Sequence, residues 1–257
     1  MRINYLLGAS LLIAMMPFIS CGDDEENEPK SQDNEQTDGG SGADDNSSNF
    51  TDLSGKDSNG REYVDLGLPS GNLWAKYNLG ATKPEEFGNY FAWGETSPKD
   101  TYKWGNYKYA TLRSSGELDS LTKYNFGNYG YWGPKDKLSV LLPEDDAATA
   151  NWGSEWRMPT DEDFKELIKY CPFDWIEVNG VRGMGFTGAN GNAIFLPAAG
   201  YRDGSDIKSV GSYGNYWSST LVEEREYLGS TMTTYDIAAT WSRANRCVGN
   251  PVRAVRR

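Results

Sequence analysis

The 257-residue chain contains no histidine and only three cysteines. The missing imidazole excludes Ser-His-Asp and Cys-His catalysis, histidine-ligated zinc and any imidazole general base. Chemistry here falls to carboxylates, tyrosine, lysine, serine or a bound ion. Long apolar runs are also scarce. The main one lies in MRINYLLGASLLIAMMPFIS at the start of the chain, and it is too short and one-sided for a membrane-spanning helix. Arg2, the short apolar run and a small residue before Cys21 mark an export signal over residues 1–21. Clustered positive charge is missing as well, which argues against a nucleic-acid partner.

What is abundant is acid, glycine and aromatic rings. The formal net charge is −12, but residues 22–60 hold twelve acids and two lysines. Removing that stretch and Arg2 leaves −3 for residues 61–257. Residues 22–60 have almost no apolar side chains to offset ordering entropy, so they are expected to form a disordered acidic tether. The run FISC ending at Cys21 resembles a bacterial lipobox, with Phe18 where leucine is usual. That resemblance implies cleavage before Cys21 and lipidation of its thiol. A plain secretory signal with an incidental cysteine is the alternative. The GDDEE that follows resembles the export signal of Bacteroidetes-type surface lipoproteins, which implies an outer-membrane lipoprotein exposed on the cell surface. An acid run that merely solvates a tail is the other reading.

Residues 61–257 read as the folded part. The alternation and Pro-Ser-Gly turn of REYVDLGLPSGNLWAKYNLGA predict a hairpin. LPEDDAATANWG predicts a short helix, with Pro143 and three acids at its positive end. A second helix is expected after Pro159. Thr160 is its N-cap, Asp163 completes a near capping box, and Phe164, Leu167, Ile168 and Cys171 share one face. Short strands and tight turns fill the rest. The expected class is α+β, with two short helices and many short antiparallel strands. FGNYFAWGE at 87–95 is nearly repeated by FGNYGYWG at 126–133 and echoed by GSYGNYW at 211–217. The flanking sequences do not repeat, which favours reuse of Gly-Asn turns over an internal duplication.

Six motifs in fixed order carry a family resemblance: VDLGLPSGNLWAKYNLGA, YFAWGE, DDAATANWGSEWRMPT, GNAIFLPAAGYRDG, NYWSST and PVRAV. Together they resemble the Fibrobacter succinogenes major paralogous domain, across the whole of residues 61–257. That family is similar to C-type-lectin-like and formylglycine-generating-enzyme-like folds. The resemblance implies a C-type-lectin-like fold without implying an activity. It also implies a disulfide between Cys171 and Cys247, since such domains often tie a helix end to a late strand. Two buried thiols are the alternative.

Candidate sites are then weighed by chemistry. Glu144, Asp145 and Asp146 are adjacent, so on a helix they fan apart and cannot converge on one ion. Helix capping and local hydrogen bonding are expected of them; calcium is the alternative. The calcium-binding sugar motifs of C-type lectins are absent, and serines stand in NYWSST where an amide and an acid would be needed. Formylglycine generation is excluded by the lack of a suitably placed reactive cysteine pair. A carboxylate pair for glycosidic chemistry cannot be picked from the 25 acids of residues 61–257. Tyr201, Arg202, Asp203, Tyr213 and Tyr216 form the candidate ligand-binding set, because rings stack on sugar faces and polar neighbours supply hydrogen bonds. Trp217, Trp152 and Trp156 are expected in the core. The expected function is a non-catalytic binding module for a glycan or a surface protein, with no metal or other cofactor and no membrane contact beyond its lipid. A structural adhesin and a carboxylate-dependent enzyme acting on polysaccharide are the alternatives.

Overall fold

The structure, a computed structural model, describes residues 55–257. The export signal, the lipid site at Cys21 and most of the expected tether lie outside the described residues. The described residues begin at Gly55, inside the stretch expected as tether, and Asp57 there is part of the fold: its buried carboxylate accepts from Asn59 N, Arg61 N and the Trp156 indole, each at 2.8 Å.

The first strands are β1 (Gly55–Lys56), β2 (Glu62–Asp65), β3 (Leu73–Ala75) and β4 (Tyr90–Phe91). β5 (Ala110–Leu112), β6 (Leu118–Leu121), helix α1 (Ala147–Trp152), β7 (Trp156–Arg157) and helix α2 (Asp161–Tyr170) follow. Next come β8 (Phe173–Val178), β9 (Val181–Thr187), β10 (Ala193–Pro197), β11 (Tyr201–Asp203) and β12 (Asp206–Lys208). The chain closes with β13 (Gly214–Leu221), β14 (Leu228–Tyr235), β15 (Ala238–Asn245), β16 (Asn250–Pro251) and β17 (Val255–Arg256). The fold is therefore α+β, dominated by short antiparallel strands.

β1, β2, β3, β17 and β7 form one five-stranded sheet in that order, so the last strand is inserted between early ones. The expected hairpin is β2–β3, pairing Val64 with Trp74. β10-β9-β8 and β13-β14-β15 are three-stranded meanders. The β8–β9 turn is Asn179-Gly180, both at positive φ, as a two-residue hairpin of right-twisted strands requires.

Both expected helices form. A 3-10 turn at Pro143–Asp145 precedes α1, and Asp146 caps α1 through Ala148 N and Thr149 N at 2.9 Å each. Thr160 and Asp163 make the full capping box of α2. Asp163 also binds Arg157 and Asn72, so one helix-start residue ties α2 to β7 and the β2–β3 loop. Phe164, Leu167 and Cys171 are buried, with Ile168 packed at their margin. Among the described residues no helix is long and apolar enough to cross a membrane.

Two apolar clusters make the core. One gathers Trp93, Tyr107, Tyr124, Trp156 and Trp217; the other gathers Trp74, Phe164, Met184, Phe186, Tyr216 and Met232. Trp217 and Trp156 are buried as expected, whereas Trp152 packs only at the margin. The expected Cys171–Cys247 bridge is not formed. Cys171 is a free thiol in the second cluster, and Cys247 is buried in the first. Burial pushes the Cys171 thiol up to about 11, which keeps it unreactive near neutral pH. Arg253 is fully buried without a carboxylate. Its guanidinium donates to Asn78 Oδ1 at 2.9 Å and to the carbonyls of Ala75, Lys76 and Phe195. Burial lowers its pKa to about 10, so it remains charged at neutral pH and pins β17's approach to the early strands.

Candidate functional site

The three consecutive acids have three separate fates. Glu144 is exposed and meets Lys123 at 3.2 Å. Asp146 caps α1 and also accepts from Met158 N at 2.8 Å. Asp145 turns inward to a polar cluster, where it accepts from Tyr109, from Tyr124 at 2.7 Å, from Lys123 at 2.5 Å and from Lys108 at 3.1 Å. Burial alone would raise its pKa, but these four hydrogen bonds prevail and hold the carboxyl at about 2. Among the described residues, no three His, Cys, Asp or Glu side chains are grouped to hold a metal.

Directly beside that cluster lies Arg246, fully buried. It donates to Tyr107 Oη at 2.8 Å, to Tyr124 O and Glu226 O, and to Lys123 O at 3.0 Å. Its cation faces the rings of Trp93, Tyr107 and Tyr124. Arg246 thus joins two surface segments from beneath, one after Tyr124 and one after Glu226.

The first segment is the loop from Phe126 to Lys135. Its neck is closed by Asp136, which accepts from Tyr124 N and Asn125 N at 2.8 and 3.0 Å, and by Lys137 N donating to Asn125 O. Glu226, itself fully buried, receives Asn128 N and Tyr129 N on its two carboxylate oxygens. Trp132 O accepts from Leu121 N at 2.9 Å on the far side. Gly133 is obligatory there, because a Cβ would fall 2.0 Å from Leu121 O. The loop is irregular, yet its backbone is tied at Gly127, Asn128, Tyr129 and Trp132.

This frame presents rings to solvent. Tyr129 and Tyr131 stack with centroids 5.6 Å apart and planes at 29°. Tyr227, from the second segment, packs against both at 4.9 and 5.9 Å. Tyr129 is 51% exposed and Trp132, next to Tyr131 in the chain, is 72% exposed. Burial and the two neighbouring tyrosines push the Tyr131 hydroxyl up to about 12, so it is a neutral donor and acceptor at any physiological pH. A hydroxyl-edged group of tyrosine rings on a preformed loop suits a ligand with both apolar faces and hydroxyl groups.

The residues selected from sequence lie elsewhere. Tyr201, Arg202 and Asp203 form β11 and are half-buried. Tyr201 pairs with Lys208, and Asp203 is ion-paired to Lys208 at 3.1 Å. The Arg202 guanidinium sits over Tyr90, with its Nε buried and unpartnered. Tyr213 is brought alongside, since Gly200 N donates to Tyr213 O, and its ring contacts Tyr235. Tyr216 must be withdrawn from the set. It is fully buried, and its hydroxyl donates to Pro197 O at 2.7 Å, because β13 turns that face into the second core cluster. Sequence reasoning missed Tyr129, Tyr131, Trp132 and Tyr227. The available signal was Gly130 and Tyr131 in FGNYGYWG, which replace the apolar Phe91-Ala92 of the first copy and interrupt a strand.

Comparison of the chain with protein-family models, with curated proteins and with solved structures found no match in any of the three.

Proposed function

We propose that this chain is a non-catalytic binding module that holds a glycan on the surface formed by Tyr129, Tyr131 and Tyr227, with Trp132 at its side. The observation that carries the reading is the exposed tyrosine cluster on a loop tied down by Glu226 and Asp136. Exposed rings in contact with one another lose apolar area to water, and a sugar's flat face recovers that area while its hydroxyls meet the phenols. Preordering of the loop removes much of the entropy cost of binding. The resemblance to the Fibrobacter succinogenes major paralogous domain, and through it to a C-type-lectin-like fold, supports the same reading. So does the insertion of β17 between β3 and β7, which brings the two ends of the domain together. In this reading Cys21 carries a lipid in the outer membrane and the domain faces outward from the cell.

A glycan array probed with residues 22–257, in calcium and again in chelator, tests the proposal. Binding is expected in both conditions. Tyr129→Ala and Tyr131→Ala are each expected to weaken it more than about tenfold, the cost of losing one stacked ring. Tyr201→Ala and Tyr213→Ala are expected to leave it unchanged. The reverse pattern would move the site to β11–β12. Loss on chelation would point to an ion, and absence of any glycan binding would favour a protein ligand.

A further inference from the structure

The chain contains three Asn-Gly pairs, at 59–60, 179–180 and 190–191. The glycine matters chemically. It has no side chain to screen its main-chain nitrogen, which can therefore approach the Cγ of the asparagine before it. All six residues are exposed, and the three glycines have φ of 80°, 80° and 87°. Solvent access and local sequence thus do not distinguish the three pairs. Hydrogen bonding does. Gly60 N donates to Asp57 O and Gly191 N donates to Gly188 O, each at 3.0 Å. The Asn190 side chain is held as well: Nδ2 donates to Asp65 O at 2.8 Å and Oδ1 accepts from Asn192 N at 3.1 Å.

Asn179-Gly180 is placed differently. Val178 pairs with Val181 at the end of the β8–β9 ladder, which leaves these two residues as the whole turn. The turn geometry itself selects Asn-Gly, because both positions need positive φ. The ladder's last bonds belong to the flanking valines. Among the described residues, Gly180 N has no hydrogen-bond acceptor and the Asn179 side chain has no partner. The nitrogen that would attack and the carbon it must reach are both unheld. The tip can therefore rotate without breaking a ladder bond.

We infer that Asn179 is a site of spontaneous covalent modification, deamidating through Gly180 N, while the fold protects Asn59 and Asn190. Gly180 N gives up its proton to hydroxide and attacks Asn179 Cγ. The N–Cγ bond forms, the Cγ–Nδ2 bond breaks, and Nδ2 leaves as ammonia after taking a proton from water. The product is a cyclic imide. Water then opens the ring at one of its two carbonyls. One opening gives aspartate; the other gives isoaspartate, whose main chain runs through Cγ. The net change is one water consumed and one ammonia released, with no oxidant or cofactor. Either product adds a negative charge at the turn, beyond the Glu177–Arg182 pair. Isoaspartate also lengthens the main chain of a two-residue turn, so it loosens the closure at Val178 and Val181.

Peptide mapping by mass spectrometry tests this on residues 22–257, which include every described residue, incubated at mildly alkaline pH and sampled over weeks. The peptide holding Asn179 is expected to gain the mass of an Asn-to-Asp exchange and to separate into two isomers. One of them is expected to be a substrate for an isoaspartate-specific methyltransferase. In the folded chain Asn179 is expected to react more than about fivefold faster than Asn59 or Asn190, the factor that one net hydrogen bond supplies. In concentrated urea the three rates are expected to converge, because only the shared Asn-Gly sequence then acts. Asn59 or Asn190 keeping pace with Asn179 in the folded chain would overturn the inference. So would an Asn179 that reacts in urea but stays intact when folded. A rate difference that persists in urea would place its cause in the flanking sequence and remove the role assigned to the fold. Glycan binding by the tyrosine surface is not involved in any of these outcomes.

Discussion

Residues 87–94 and 126–133 are near copies, FGNYFAWG and FGNYGYWG, yet they end on opposite sides of the protein's surface. Their backbones begin alike: Gly88 and Gly127 have φ of 72° and 76°. In the first copy Tyr90 is 6% exposed and Trp93 is fully buried; in the second the matching Tyr129 and Trp132 face solvent. The difference is set by what each segment meets. Tyr90-Phe91 becomes β4 and pairs with β16, Tyr90 Oη donates to Ala199 O at 2.6 Å, and the Trp93 indole donates to Ser218 O at 2.8 Å. The second copy has Gly130 in place of Phe91. No strand forms there: Asn128 N and Tyr129 N go to the Glu226 carboxylate, and the segment touches a strand, β6, at Trp132. In the first copy the buried rings of Tyr90 and Trp93 each have their polar atom partnered by a backbone carbonyl.

That comparison can be broken most sharply at its two tryptophans. Trp93→Ala is expected to cost about 4 kcal/mol, because it empties the first core cluster beside Arg246 and leaves Ser218 O without its donor. Urea titration measures it; a loss under half that size would mean the site collapses around the gap.

Next in size is the acid cluster beneath the exposed loop. The Asp145 carboxyl sits at about 2 in the folded chain against 3.8 for an ordinary aspartate. A folded value below the unfolded one gives stability that is fully present above about pH 4 and is lost as pH falls through 2. The contribution is on the order of 2 kcal/mol. Asp57 and Glu62 are also held at about 2 and Asp163 is lowered too, so Asp145 is one of several contributors to acid unfolding. Asp145→Asn is expected to flatten the pH dependence of stability between pH 2 and 4, and an unchanged slope would exclude Asp145 as a source of it.

The smallest effect is the most telling. Trp132→Ala is expected to change stability by less than about 0.5 kcal/mol, since its indole is mostly in water. Together with the Trp93 result, this would show that two tryptophans at matching positions of near-identical segments differ in stability cost by several kcal/mol. A large cost at Trp132 would mean that the loop depends on its rings for its shape and does not present them freely.

Some of this was legible in the sequence for local reasons. The capping box at Thr160–Asp163, the periodic face of α2 and the β2–β3 hairpin depend on residues close in the chain, and they formed as expected. The acids at 144–146 were read correctly as capping at Asp146 but not at Asp145, whose partners Tyr109 and Tyr124 are 36 and 21 residues away. The Cys171–Cys247 bridge failed because the two residues are sorted into different core clusters. Tyr216 was assigned to a surface because its neighbours are turn-rich; only the pairing of β13 with β14 shows which face it takes. The exposed tyrosines were overlooked because a Tyr-rich loop reads the same whether its rings pack inward or outward.

The sequence by itself determined the local pieces: where helices start, the β2–β3 hairpin, and the exclusion of every imidazole-dependent chemistry. These follow from short-range sterics, hydrogen bonding and side-chain inventory. Only the tertiary structure decided which tyrosines became core and which became surface. Those outcomes depend on contacts between residues far apart in the chain, such as Arg246 gripping Lys123 and Tyr124, and Glu226 holding Asn128, which no local pattern encodes.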